Sequence, residues 1–97
     1  MAELTCTNTK VSPAAKGTAI TCTLSAADAL TILPQLVPGQ QGNLDSSTNT
    51  CTIYSVDYYG HSFKAIPNKP ELSLGTGAHP DTTKNTFDVN DSITVTT

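Results

Sequence analysis

Threonine alternates with apolar residues along this chain, and that alternation constrains its fold more than any other feature. It appears in Leu4-Thr5-Cys6-Thr7, Ile20-Thr21-Cys22-Thr23-Leu24, Cys51-Thr52-Ile53 and Ile93-Thr94-Val95-Thr96. Successive side chains of a strand point to opposite faces, so a period of two puts apolar groups on one face and hydroxyls on the other. The β-branched threonine suits a pleated surface, and its hydroxyl wets the outer face without adding charge. With 17 Thr among 97 residues, the pattern predicts a mainly β protein with a hydroxyl-rich exterior.

The bulk numbers narrow this to one small domain over 1–97. A chain of this size buries only about 60–65% of its unfolded surface, so its core is thin. Charged residues make up 13% of the chain, against roughly a quarter in ordinary domains. All 5 basic residues are lysines (Lys10, Lys16, Lys64, Lys69 and Lys84), spread along the sequence, and the net charge is -3. Arginine supplies bidentate phosphate and guanine contacts, so its absence argues against nucleic-acid binding. Scattered lysines argue likewise against a polybasic membrane contact. Glu3 stands where a signal peptide carries basic charge, and no apolar run follows it; synthesis and folding in a cytosol are expected. The stretch Ala26 to Val37 is too short and too interrupted to span a bilayer.

Along the chain, residues 3–9 read as a strand with Leu4 and Cys6 on one face, broken at Ser12-Pro13. Residues 17–25 form the clearest strand, with Ile20, Cys22 and Leu24 inward. A short helix follows over about 26–33. Ser25 is its N-cap, Asp28 has capping-box spacing, Pro34 is the stop, and Ala26, Ala29, Leu30 and Leu33 line one face. Residues 38–49 read as a polar loop. Residues 50–59 form a strand with Cys51 and Ile53 on one face and Tyr54, Val56 and Tyr58 on the other; sizeable groups on both faces predict a central strand. Gly60-His61 is a hairpin tip returning through Ser62 to Ile66, which Pro67 ends. Residues 67–86 read as a long irregular connection. Phe87 and Val89, then Ile93 and Val95, supply closing strands around an Asn90-Asp91 turn. The sum is a small antiparallel β-sandwich or partly open barrel of about six strands with one short helix. An extended arm at 10–17 and the loops 38–49 and 67–86 complete it.

No motif in the chain reads as a reaction centre. Cys6, Cys22 and Cys51 form no C-x-x-C pair, and each falls on an apolar strand face, so they read as buried thiols. One disulfide formed outside the cell is the alternative, and a zinc site with His61 or His79 lacks ligand spacing. Asp57, His61 and Ser62 are close in sequence but carry no nucleophile elbow, so a solvated hairpin tip is the reading. Gly75-Thr76-Gly77 lacks the Lys-Ser/Thr and helix of a phosphate loop. Asp88-Val89-Asn90-Asp91-Ser92 is oxygen-rich but has neither the central Gly nor the late Glu of an EF-hand. A turn held by Asx hydrogen bonds is the reading there, with a loop calcium site shared with Asp45 or Asp81 as the alternative. No cofactor is expected. Tyr58, Tyr59, His61 and Phe63 at the hairpin tip are the candidate partner contacts, since tyrosine gives large contact area with a polar handle. A core role for Tyr54 and Tyr58 is the competing reading.

In composition and strand pattern, over its full length, the chain resembles the small capsid decoration (cement) proteins and other accessory virion proteins of tailed bacteriophages. The resemblance implies a non-enzymatic virion structural protein made in the host cytoplasm and mature on the virion surface. Such a protein binds the major capsid protein or other assembly subunits, often as a homo-oligomer, and stabilises the shell. It assigns no role to any single residue. A carbohydrate- or ligand-binding β module of a fibre or adhesin is the alternative, and a small enzyme is a third class that the scarcity of His and paired carboxylates disfavours.

Overall fold

The computed structural model describes residues 3–13, 19–44, 50–68, 74–76, 79–81 and 86–97. In chain order the strands are β1 (Glu3–Thr7), β2 (Ser12–Pro13), β3 (Ile20–Thr23), β4 (Gln41–Leu44), β5 (Thr50–Asp57), β6 (Ser62–Pro67), β7 (Leu74–Thr76), β8 (His79–Asp81), β9 (Thr86–Phe87) and β10 (Ser92–Thr96). One helix, α1 (Ala26–Ile32), runs into a 3-10 turn at Leu33–Gln35. Six strands form one sheet in the order β1-β10-β4-β5-β6-β3, antiparallel at every pairing. β2 pairs with β9 and β7 with β8 as two small ribbons. The fold is therefore mainly β and antiparallel, as the alternation predicts, and it is not closed into a barrel.

The alternation places the core. Cys6, Ile20, Cys22, Leu44, Cys51, Ile53, Phe63, Ala65, Ile93 and Val95 are buried together, and the threonines between them point outward. β5 has β4 on one side and β6 on the other, as expected for a central strand.

Two departures have local causes. The expected loop 38–49 contains β4, an inner strand (residues 45–49 lie outside those described). Gln-Gly-Asn-Leu has little strand propensity, so pairing on both flanks imposes the conformation. Gly42 is needed for that fit. A Cβ there would lie 3.0 Å from the Thr94 carbonyl oxygen and 3.1 Å from Ile93 Cγ2.

The second departure is in β5. Its register with β6 runs Ile53↔Ala65 and then Ser55↔Lys64 and Val56↔Phe63, so the strand carries a β-bulge around Tyr54. One extra residue reverses which positions face inward. Val56 therefore packs against the core on the side of Ile53, while Tyr54 is 59% exposed. The sequence-based placement of Tyr54, Val56 and Tyr58 on one face is corrected accordingly.

Smaller corrections follow the same logic. The connection 67–86, read as irregular, holds the β7–β8 ribbon, with Leu74 opposite Asp81; its remaining residues from 69 to 85 lie outside those described. In the arm 10–17, Ser12–Pro13 pairs with β9, and residues 14–17 lie outside those described. Val89 sits in the turn before β10 and is exposed, so only Phe87 of that pair joins the core.

The sheet curls so that its outer strands meet around one buried amide. Asn8 is 0% exposed. Its Nδ2 donates to the carbonyls of Lys10 (2.8 Å), Phe87 (3.1 Å) and Asp88 (2.9 Å). Its Oδ1 accepts from Thr23 N at 2.9 Å. Thr21 N donates to Ser12 Oγ at 3.3 Å, and Thr9 N donates to Thr23 O at 2.8 Å. The outer edge of β3 is thus covered by residues 8–12 rather than left as an open template for pairing.

Candidate functional site

The candidate site lies where the β5–β6 hairpin tip meets α1. α1 starts at Ser25, whose Oγ accepts from Asp28 N at 3.2 Å, the cap expected from sequence. Pro34 does not stop the run at once; its fixed φ suits the start of the 3-10 turn that continues to Gln35. Ala29, Ile32, Leu33 and Leu36 are buried. The helical face is rotated from the expected one, since Leu30 is 81% exposed and Ala26 is also on the surface. The reason is that α1 covers the curled sheet with its 29–32–33 stripe, so Leu30, about 100° around the helix from Ala29, looks away.

The hairpin tip is held by its own short-range bonds. Gly60 N donates to Asp57 Oδ1 at 3.0 Å, and a Cβ at Gly60 would lie 2.6 Å from Asp57 Oδ2. His61 adopts φ 53, the left-handed region that closes the turn. The His61 carbonyl accepts from Leu24 N at 2.7 Å, which ties the tip to the residue before the helix cap. Tyr58 Oη donates to the Leu33 carbonyl at 3.5 Å. Between them lies an open cleft of about 200 Å³ lined by Ala29, Leu30, Leu33, Pro34, Tyr58 and His61.

Of the residues expected at this tip, Tyr58 and His61 line the cleft, while Tyr59, the next residue in the chain after Tyr58, is outside its lining and 101% exposed. Phe63 does not belong with them. It is 1% exposed, opposite Cys22 and Val56 in the sheet, so it is a core residue and not a contact. Sequence reading missed Leu30 and Pro34. The pattern had assigned Leu30 to the core and Pro34 to the helix stop, and neither residue carries a surface signal of its own.

The other candidates resolve in place. The Asp57 carboxylate is engaged by the turn, and Ser62 is buried beneath the exposed His61. The Asp88–Asp91 segment is an Asx-bonded turn. Asp88 N donates to Asp91 Oδ2 at 2.8 Å, Thr86 Oγ1 donates to Asp88 Oδ1 at 2.7 Å, and Asn90 takes φ 74. Asp45 lies outside the described residues, as does Gly77; Gly75 and Thr76 belong to β7 and His79 to β8. Among the described residues no group of His, Cys, Asp and Glu is arranged to hold a metal ion. Also among them, no helix is long and apolar enough to cross a membrane.

Cys6, Cys22 and Cys51 are buried free thiols. Burial pushes Cys6 up to about 12 and Cys51 to about 11 from an ordinary 9.0, and raises Cys22 as well. A protonated thiol is a poor nucleophile and ligand, so these sulfurs act in the native fold as small apolar groups. Chemically, the cleft offers apolar area, a phenol and an imidazole: a surface for contact. Compared with protein-family profiles, with curated proteins and with solved structures, the chain finds no match.

Proposed function

We propose that the protein is a non-enzymatic contact subunit of a larger assembly, a virion decoration protein that binds an outer shell through the face formed by α1 and the hairpin tip. The observation that carries this reading is that Leu30 and Tyr58, both exposed, line one apolar cleft, with the fully exposed Tyr59 next to Tyr58 in the chain. Exposed tyrosines beside an aliphatic residue are the composition of interface anchors. The turn bonds around Gly60 and the Leu24–His61 bond hold this face in shape before any partner arrives, which lowers the ordering cost of binding. The partners are the major capsid protein or neighbouring subunits of the same lattice, including further copies of this chain. The location is the host cytoplasm during synthesis and the virion surface at maturity.

A second reading has its own support. Tyr58 on the cleft wall with His61 beside it gives a flat ring and a polar group, the elements that hold a sugar ring in a carbohydrate-binding module.

Co-sedimentation with shells from the source separates the two readings. Leu30→Lys and Tyr59→Ala remove exposed groups only, so both variants should keep the wild-type unfolding midpoint and lose shell binding at least tenfold. Binding by the wild type should persist in moderate salt, because few ion pairs carry it. Wild-type levels of binding by both variants would defeat the decoration reading. Binding that is competed away by soluble glycans would favour the carbohydrate reading.

A further inference from the structure

We propose that Cys6 and Cys22 form a staple set by redox conditions at folding: in oxidising surroundings they join as a disulfide that ties β1 to β3, the two outer strands of the six-stranded sheet. These strands stand at opposite ends of the strand order, yet the curl of the sheet brings them together. Cys22 Sγ lies 3.7 Å from the Cys6 carbonyl oxygen. A carbonyl oxygen sits about 2.4 Å from its own Cα, which places the Cys22 sulfur within about 6 Å of the Cys6 Cα. The contact sets the Cys22 side chain against the Cys6 backbone, and the bridge itself asks for Cα atoms about 4.4–6.8 Å apart. The Thr9–Thr23 and Asn8–Thr23 hydrogen bonds hold the same junction closed on one side. Both residues are fully buried, and neither is paired. Cys51 is the third thiol, on the inner strand β5, with its sulfur beside Gly42 of β4. A bridge to it would join neither outer strand to the other.

The reduced fold keeps the two sulfurs as weak donors, Cys6 Sγ to Leu4 O at 3.8 Å and Cys22 Sγ to Cys6 O. Bond formation needs a rotation about χ1 at each and the release of these contacts. The oxidant is a small-molecule disulfide such as oxidised glutathione. One protein thiolate attacks it, expels one small thiol and becomes a mixed disulfide. The second protein thiolate then attacks the protein sulfur of that mixed disulfide and expels the other small thiol. Two protein S–H bonds and one small-molecule S–S bond are lost; one protein S–S bond and two small-molecule thiols are formed, and the two electrons end on the small molecule. Burial keeps the native thiols protonated and out of reach, so exchange belongs to the chain before it closes. The redox state present at folding is then retained by the folded protein.

The test is to unfold the reduced full chain and refold it in mixed oxidised and reduced glutathione or in reductant alone. The oxidised product should be lighter by about 2 Da, with one titratable thiol left after denaturation. Peptide mapping should give a single link between Cys6 and Cys22. Its unfolding midpoint should exceed that of the reduced product, and reductant added during unfolding should erase the rise. Cys51→Ser should keep the link, whereas Cys6→Ser and Cys22→Ser should each abolish it. Links through Cys51, only intermolecular or mixed disulfides, no link at all, or a linked form with a lower midpoint would each overturn the proposal. Mapping on the wild-type chain decides the matter even if a variant does not fold.

Discussion

Asn8 shows how much one polar side chain can hold in a thin core. Its amide serves three carbonyls and two backbone N–H groups drawn from the segments around Lys10, Thr23 and Phe87–Asp88. Water cannot reach it, so removing it strands those groups rather than returning them to solvent. Asn8→Ala should lower stability by about 2–4 kcal/mol, the range for leaving more than one buried polar group unsatisfied, read from urea unfolding. Asn8→Asp keeps Oδ1 but turns the donor end into an acceptor facing three carbonyls, and it should do at least as badly. A loss under about 0.5 kcal/mol for Asn8→Ala, the size of an ordinary surface change, would mean that the amide does not organise this junction.

At the scale of the element, α1 is a seven-residue helix too short to stand alone, so packing decides which face it buries. The stripe Ala29, Ile32, Leu33 faces the sheet, and Leu30 faces solvent beside the cleft. Two leucines three positions apart therefore predict opposite outcomes. Leu33→Ala should cost about 2–5 kcal/mol, as large-to-small core changes do. Leu30→Ala should change stability by no more than about 0.5 kcal/mol. Equal losses in thermal or denaturant unfolding would show that the helix sits in a different rotation. The β5–β6 hairpin illustrates the same rule in a sheet. The bulge at Tyr54 turns Val56 inward and leaves Tyr58 free to meet Leu33 across the cleft.

For the molecule as a whole, three buried thiols make stability depend on alkaline pH. Each thiol is harder to ionise in the folded chain than in the unfolded one, with desolvation as the leading cause. Between the unfolded value of 9.0 and the folded values of about 11 for Cys51 and about 12 for Cys6, the folded state binds more protons. Stability then falls as pH rises, by linkage. The thiol contribution should be whole below pH 9 and should decline as pH climbs through 11 to 12. Urea midpoints measured from pH 8 to 11 should drop more steeply for the wild type than for Cys22→Ala, which removes one of the titrating groups. Parallel slopes would assign the alkaline loss to other groups.

The strands that the alternation of threonine with apolar residues could locate are those in which the signal is complete within four or five residues. Leu4-Thr5-Cys6-Thr7, Ile20 to Thr23, Cys51-Thr52-Ile53 and Ile93 to Thr96 all lie in strands as read, although the strands expected over 3–9 and 17–25 end at Thr7 and Thr23, because side-chain parity is a property of the local backbone. The Ser25 cap and the Gly60-His61 tip are local for the same reason, and the tip already drew attention to Tyr58, Tyr59 and His61. Tertiary structure decided whatever depends on a neighbour distant in sequence. Gln41 to Leu44 became a strand because β5 and β10 offered ladders on both sides and Gly42 allowed the close approach. Val56 turned inward because β6 imposed a register that β5 met with one extra residue. Leu30 reached the surface, and Phe63 left the candidate site for the core, because the sheet curled beneath α1 until Asn8 could bridge its outer strands. A period of two reports which residues share a face; which face is buried, and what lies against it, depends on contacts between segments that the period does not encode.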